Sequence, residues 1–236
     1  MWFDKPIIFG RNTTVGTAFE DLNPYDQLTD QASLFATAAA IDISSSAAAD
    51  DGSPAGTGAQ TVTIYGVDSS YEPATQTITM NGQTKVVGTQ TWKCVQAVSV
   101  AAAGSGRVNA GDLHVVKTAT GGSYTTGVPG TLTSAICKVA AGAGLAGTGA
   151  YAVPLNRSRR AGILTIGASV HPGVLRILSE RGGIITTDFQ IDFNIGTTQI
   201  DLTPYDIWWD EQAYIRIQTL SASAGGKHSA ALCLES

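Results

Sequence analysis

Charge is scarce in this chain. Asp, Glu, Lys and Arg make up 14% of its 236 residues, against roughly 25% in an average soluble domain. Much of the surface must therefore be Ser, Thr, Ala, Gly and Gln. Such surfaces suit contact with other proteins, because charge is depleted at interface cores. The net charge is −5, which excludes the chain as a whole from nucleic-acid binding, since that rests on Lys and Arg neutralising phosphates. Cysteine is scarce too: Cys94, Cys137 and Cys233 stand far apart, with no C-x-x-C. An odd count at wide spacing argues against a secreted disulfide framework, and strand-like surroundings make Cys94 and Cys137 buried free thiols. No apolar run is long enough to span a membrane. The opening "MWFDKPIIFG" carries an early Asp4 and does not read as a signal peptide. Assembly in a reducing cytoplasm is the expected setting, with no membrane partner.

Motifs for catalysis and cofactors are missing as well. Gly142, Gly144 and Gly147 fall at GxGxxG spacing, but a dinucleotide site needs a following helix and a carboxylate about 20 residues on. "TGAYAVP" follows instead, so the stretch reads as a loop. "GASVH", from Gly167 to His171, lacks the last glycine and the strand–turn–helix setting of a nucleophile elbow. His114, His171 and His228 lie in separate segments without zinc spacing. Asp50-Asp51-Gly52 lacks the alternating oxygens of a calcium loop and reads as a solvated turn. Asp188 and Asp192 do not form a convincing acid–base pair. No enzyme, no cofactor and no metal is expected.

Alternation is what the chain does have. "AQTVTIYGV" and "TQTITM" each place alternate residues on opposite faces, with the turn "VDSSYEPA" between them. Residues 59–80 therefore read as an antiparallel hairpin, stopping at the turn dipeptide Asn81-Gly82. "WKCVQAVSV", "DLHVV", "AGILTIGASV", "GVLRIL", "ITTDFQIDF", "AYIRIQTL" and "HSAALCLE" are further strands, some divided by turns such as His171-Pro172-Gly173 and Gly182-Gly183. Helix-friendly "QASLFATAAAI" is read as strand because it runs into "IDIS". The fold class expected is all-β: antiparallel β-sandwich or jelly-roll modules with an extended N-terminal arm. The Gly-rich 141–149 marks the boundary, giving an arm over 1–31, one module over 32–148 and a second over 149–236.

Candidate contact residues come from three places. The arm carries Trp2, Phe3, Ile7, Ile8 and Phe9, apolar but without a clear period, and is expected to pack on a neighbour. The basic run Arg157-Ser158-Arg159-Arg160 is either a solvated turn or a contact to an acidic partner. Trp208 and Trp209 are adjacent in a strand and must point to opposite faces, so one can anchor a partner. They stand just before the closing Asp210 of the decapeptide "DLTPYDIWWD" from Asp201, which echoes "DLNPYDQLTD" from Asp21. Pro fixes φ and Asp bonds local backbone, so the echo reads as a reused turn.

The middle of the chain resembles a family of known proteins. "GTGAQTVTIYGVDSSYEPATQTITMNGQTKV", followed by "VSVAAAGSGRVNAGDLHVV", is similar to β-rich virion structural proteins of tailed bacteriophages, notably short-tailed cyanophages. Gly58, Ala59, Thr61, Val62, Gly66, Asp68, Thr77, Asn81, Gly82, Gly104, Ser105, Gly106, Asn109, Ala110 and Gly111 stand at that family's motif places, as does the preceding "SSSAAAD". Val67 replaces the usual Leu and Gln76 the usual Glu. The resemblance covers roughly residues 40–116 and brings no catalytic residue with it. It implies a particle component assembled in the host cytoplasm, most simply a capsid decoration or cement protein, binding the major capsid protein or other virion proteins. A homo-oligomer is implied, with a trimer favoured. A tail or neck component is the alternative within that class. A carbohydrate-binding receptor reader with Trp92, Trp208 or Trp209 as its platform is the alternative outside it.

Overall fold

The computed structural model describes residues 6–22 and 31–236. Strand accounts for 57% of it and helix for 3%, in antiparallel sheets, as an all-β sandwich fold requires. The chain divides into two compact units, one of Met1–Leu28, Ser70–Pro73 and Gly147–Ser236, the other of Thr29–Ser69 and Ala74–Ala146.

Eight main strands build the first unit, with short two-residue strands beside them: β1 Ile7–Val15, β2 Ala150–Ala152, β3 Arg159–Ala168, β4 Gly173–Arg181, β5 Ile184–Phe193, β6 Gly196–Asp201, β7 Tyr214–Ser221 and β8 Gly226–Glu235. One sheet runs β1-β8-β3-β6 and the other β2-β7-β4-β5. That order, with the chain passing between the sheets, is a jelly roll. The sequence writes the two faces plainly: along β8, alternate residues from Gly226 to Leu234 are buried, the period of a strand with one face inside. Ile8, Leu164, Ile166, Leu232 and Leu234 from one sheet share a core with Tyr151, Leu175, Ile177, Ile215 and Ile217 from the other. Each such side chain contributes about 1.5–3 kcal/mol by leaving water. Gly182 and Gly183, at φ 59° and 81°, close the β4–β5 hairpin with the left-handed backbone such a tight turn needs.

The arm expected over residues 1–31 is not an arm where it is described. β1 pairs antiparallel with β8, from Ile7↔Cys233 to Val15↔Gly226, and Ile8 and Val15 are wholly buried in the unit's own core. The period was hidden because the pattern is partly inverted. Gly10 and Asn12 face inward while Ile7 and Phe9 face outward. Gly10 is required there, since a Cβ would meet the Leu22 carbonyl oxygen at 2.0 Å. Buried Asn12 is held by donating to Glu20 Oε2 at 3.1 Å and accepting from the Thr14 N–H at 2.9 Å. The module expected over 149–236 thus takes its first strand from the N-terminal region. Trp2, Phe3 and most of the first decapeptide lie outside the described residues.

The second unit is inserted in the chain between β1 and β2. Its main sheets run, in order, Ala135–Val139, Leu113–Lys117, Ile41–Ser45, Val86–Val87, and Leu145–Gly147, Trp92–Ala103, Ala59–Asp68, Pro73–Thr79. Ile41, Ile43, Leu113 and Val115 meet Val62, Ile64, Trp92 and Val98 between them. The hairpin of residues 59–80 is present. Asn81-Gly82, however, turns the chain toward Val86–Val87 in the other sheet. The stretch "QASLFATAAAI" begins as a single helical turn, Gln31–Leu34; Ala39 makes an isolated bridge to Trp92, and a continuous strand starts only at Ile41. The reason is Gln31: its amide donates to the Val95 carbonyl at 3.0 Å and accepts from the Val95 N–H at 2.9 Å. A side chain takes the place of a strand neighbour, and the backbone is free to coil.

Asp50 is not a solvated turn residue but is completely buried. Its carboxylate accepts from the N–H groups of Ala59 (2.6 Å), Ala110 (2.7 Å) and Gly111 (2.9 Å) and from the Ser45 hydroxyl (2.5 Å). A Cβ at Gly58 would meet Asp50 Oδ1 at 2.1 Å. Asn109 continues the knot, donating to the carbonyls of Gly111 and Ala140 and accepting from Gly144 N–H. Several of the residues that carry the resemblance therefore hold loops together. Gly142 and Gly144 have positive φ with no close neighbour beyond Val108, and strands rather than a helix follow them.

Candidate interaction surface

The second decapeptide builds a compact surface on the jelly-roll unit. Asp201 ends β6, and its Oδ1 accepts from the Thr203 N–H at 2.9 Å and the Thr203 hydroxyl at 2.5 Å. Those two bonds, chiefly, hold its carboxyl below the usual carboxylate range, with Arg160 adding a little. That local turn leads through Leu202 into a short 3-10 turn, Thr203–Tyr205, with Pro204 supplying the fixed φ. Asp206 ends the turn in the left-handed region at φ 53°, where Asp is tolerated better than most residues. The chain then enters a two-residue strand, Trp208–Trp209, paired with the start of β3 as Arg160↔Trp208 and Arg159↔Trp209.

Alternation sorts those four side chains. Trp209 is 3% exposed and Arg159 2%, so both face the interior. Trp208, 46% exposed, and Arg160 face out. Arg160 Nη2 donates to the Thr203 carbonyl at 2.6 Å and lies 3.3 Å from Asp206 Oδ1, and its guanidinium carbon sits 5.7 Å from the centre of the Trp208 ring. Trp208 Nε1 donates to the same Asp206 oxygen at 2.9 Å. Exposed pairs of this kind add at most about 1 kcal/mol to stability. Their effect is to fix the orientation of an exposed indole beforehand, which lowers the cost of ordering it on binding.

Tyr205, 61% exposed, meets Phe189 of β5 edge-on at 5.5 Å. Asp188 is an anchor: it accepts from Trp209 Nε1 at 2.7 Å and from the Thr186 hydroxyl. β5 also exposes Ile184 and Ile185, and the turn after it exposes Ile195.

The basic run and the Trp pair, chosen separately in the sequence, thus meet through Arg159, Arg160, Trp208 and Trp209. Arg159 and Trp209 serve the interior, which leaves Arg160 and Trp208 for contact. Arg157 lies in the exposed turn before β3, outside this cluster. Ile8 is core, while Ile7 and Phe9 stand on the outer face of β1. Trp92 is fully buried and gives no platform. Tyr205, Asp206 and Phe189 were missed, although the repeated decapeptide was itself a signal for the first two.

Among the described residues, no group of three or more His, Cys, Asp and Glu gathers as metal ligands would, and no helix is long and apolar enough to cross a membrane. Neither a protein-family model nor a curated protein matches this sequence.

Proposed function

We propose that the chain is a non-enzymatic structural protein of a bacteriophage particle, a capsid decoration or cement protein that stabilises the shell by binding folded neighbours. The observation that supports this reading is the oriented, exposed Trp208–Arg160–Asp206 cluster beside Tyr205, on a rigid sheet end of an otherwise charge-poor chain. Exposed Trp, Tyr and Arg in a fixed setting are the residue types that dominate protein interfaces. Jelly rolls serve viral coats, and also lectins, so the fold is compatible with the reading and does not choose it. The resemblance over residues 40–116 supports the particle setting, as head decoration first and as tail or neck component second. The same reading takes the protein as a homo-oligomer, a trimer, which light scattering tests.

A second reading is carbohydrate recognition by the same surface, because an exposed indole with carboxylates beside it suits stacking on a sugar ring. One experiment separates the two. Particles are prepared with Trp208→Ala plus Tyr205→Ala and located by electron microscopy. Failure of the variant to load onto heads, with its fold intact, supports decoration. Normal loading with lost attachment to host cells supports the glycan reading. Absence of the unaltered protein from particles overturns the proposal.

A further inference from the structure

A second site lies on the outer face of the β1-β8-β3-β6 sheet, at the end away from Asp201 and Glu235. The pairing places Arg11, Ser229, Gly167 and Thr197 in one row across four strands, a span of about 14 Å at the usual strand spacing. Lys227 stands two residues before Ser229 on β8, and Ser169 lies just past the end of β3. Together they line an open cavity of about 350 Å³, reached also by Ala168, Gly196 and His228. Gly167 is its floor. A Cβ there would meet Ser229 Oγ at 2.8 Å, so a side chain at this position would crowd the row.

The chemistry of the lining is one-sided. Arg11 and Lys227 are exposed cations without an ion pair or hydrogen bond among the described residues, and no carboxylate lines the cavity. Ser169, Thr197 and Ser229 add hydroxyls. The nearby acid Glu20 is occupied by Asn12 and the Gly16 N–H. The His228 ring is also committed, to Thr219 Oγ1 at 2.8 Å and the His171 carbonyl at 2.9 Å. In a chain of net charge −5, two unpaired cations held over a glycine floor on rigid strands make a local field of the opposite sign.

We propose that this cavity binds a small anionic ligand: one carboxylate, phosphate or sulfate group on a polar body about the size of a monosaccharide. The anionic group lies between Arg11 and Lys227, where charge-assisted hydrogen bonds are strong. The body lies over Gly167 against the three hydroxyls, in a volume at the small end of ligand sites. The site is separate from the Trp208 surface and stands whichever partner that surface takes.

Titration of the full chain with glucose 6-sulfate, glucuronate, glucose and inorganic sulfate, followed by amide NMR shifts, tests the proposal. Saturable shifts at Gly167, Thr197, Lys227 and Ser229 are expected with both anionic sugars and not with glucose. Arg11→Gln plus Lys227→Gln, both exposed positions, should weaken binding at least about tenfold. Gly167→Ala should weaken it through shape alone, and Trp208→Ala should leave it unchanged. Inorganic sulfate should bind more weakly than the sulfated sugar. Equal binding of glucose, an unaffected double variant, shifts located elsewhere, or sulfate binding as tightly as its sugar ester overturns the proposal.

Discussion

In the inserted unit, Asp42 and Asp50 lie completely buried and tie backbone and side chains from distant segments. In the jelly roll it is the surface that departs from expectation, with Ile184, Ile185, Ile195, Tyr205 and Trp208 left in water. Asp42 takes Lys85 at 2.9 Å and the Thr118 hydroxyl at 3.0 Å, and burial together with that carboxylate pushes the Tyr124 phenol up. One unit uses scarce charge inside to hold loops in place. The other leaves its largest exposed apolar side chains, Ile184 at 70% and Ile195 at 59%, in water. Each side of the contrast is open to experiment.

The largest effect should come from deleting residues 1–20. β1 goes with them, and the loss of Ile8 and Val15 burial alone removes about 3–6 kcal/mol, against a typical total of about 5–15. Hydrogen exchange should show β7 and β8 unprotected while the inserted unit stays protected. Retained protection in β8 would mean that the N-terminal strand is dispensable after all.

Next in size is Asp50→Ala, which strands the buried N–H groups of Ala59 and Gly111 and the buried Ser45 hydroxyl, at an expected cost of about 5 kcal/mol to the inserted unit. Urea unfolding followed at Val62 and Val115 amides measures it. A loss below about 1 kcal/mol would show that water replaces the carboxylate and that the knot does not hold the loops. In the jelly roll, Trp209→Ala should cost about 4 kcal/mol, and its neighbour Trp208→Ala no more than about 0.5. Equal costs in thermal unfolding would remove the distinction between an interior and a contact indole.

These contrasts show what was legible in the sequence. Strands with a clean period, such as β8 and Ala59–Asp68, were readable because one face is apolar and the other polar. β1 was not, because Gly10 and Asn12 take inward positions for reasons that lie in other segments, the Leu22 carbonyl and Glu20. Gln31 was misread for the same kind of reason: its partner Val95 is far along the chain. At the surface, Arg160 and Trp208 were each visible, but their meeting depends on a two-residue strand that no local pattern announces. Asp50 looked like a turn residue because its neighbours are turn residues. Its burial is decided by backbone from two distant loops.

The smallest effect is on acidification, and it falls on both units. Burial lowers the pKa of His114, opposed by Asp112 and assisted by Lys138, and burial likewise lowers that of His228 despite its bond to His171. The unfolded chain therefore takes up these protons first. Stability should be full above about pH 6.5 and fall as the pH drops below it, toward each ring's folded pKa. Thermal unfolding between about pH 7.5 and about pH 5 should show the decline. His114→Gln and His228→Gln should each flatten it in one unit only; a single variant that flattens both would join the two units energetically.

Placing a whole folded unit between β1 and β2 also governs the order in which the molecule can be made. Ile7 is translated more than two hundred residues ahead of its partner Cys233. On the ribosome the inserted unit has every strand it needs while β1 still waits with one edge open. Domains fold as units during synthesis, so the later unit must be held unpaired by time alone, through the making of more than two hundred residues. Conditions that speed elongation or crowd nascent chains should therefore act on the yield of the jelly roll, through mispairing of that waiting edge with another chain.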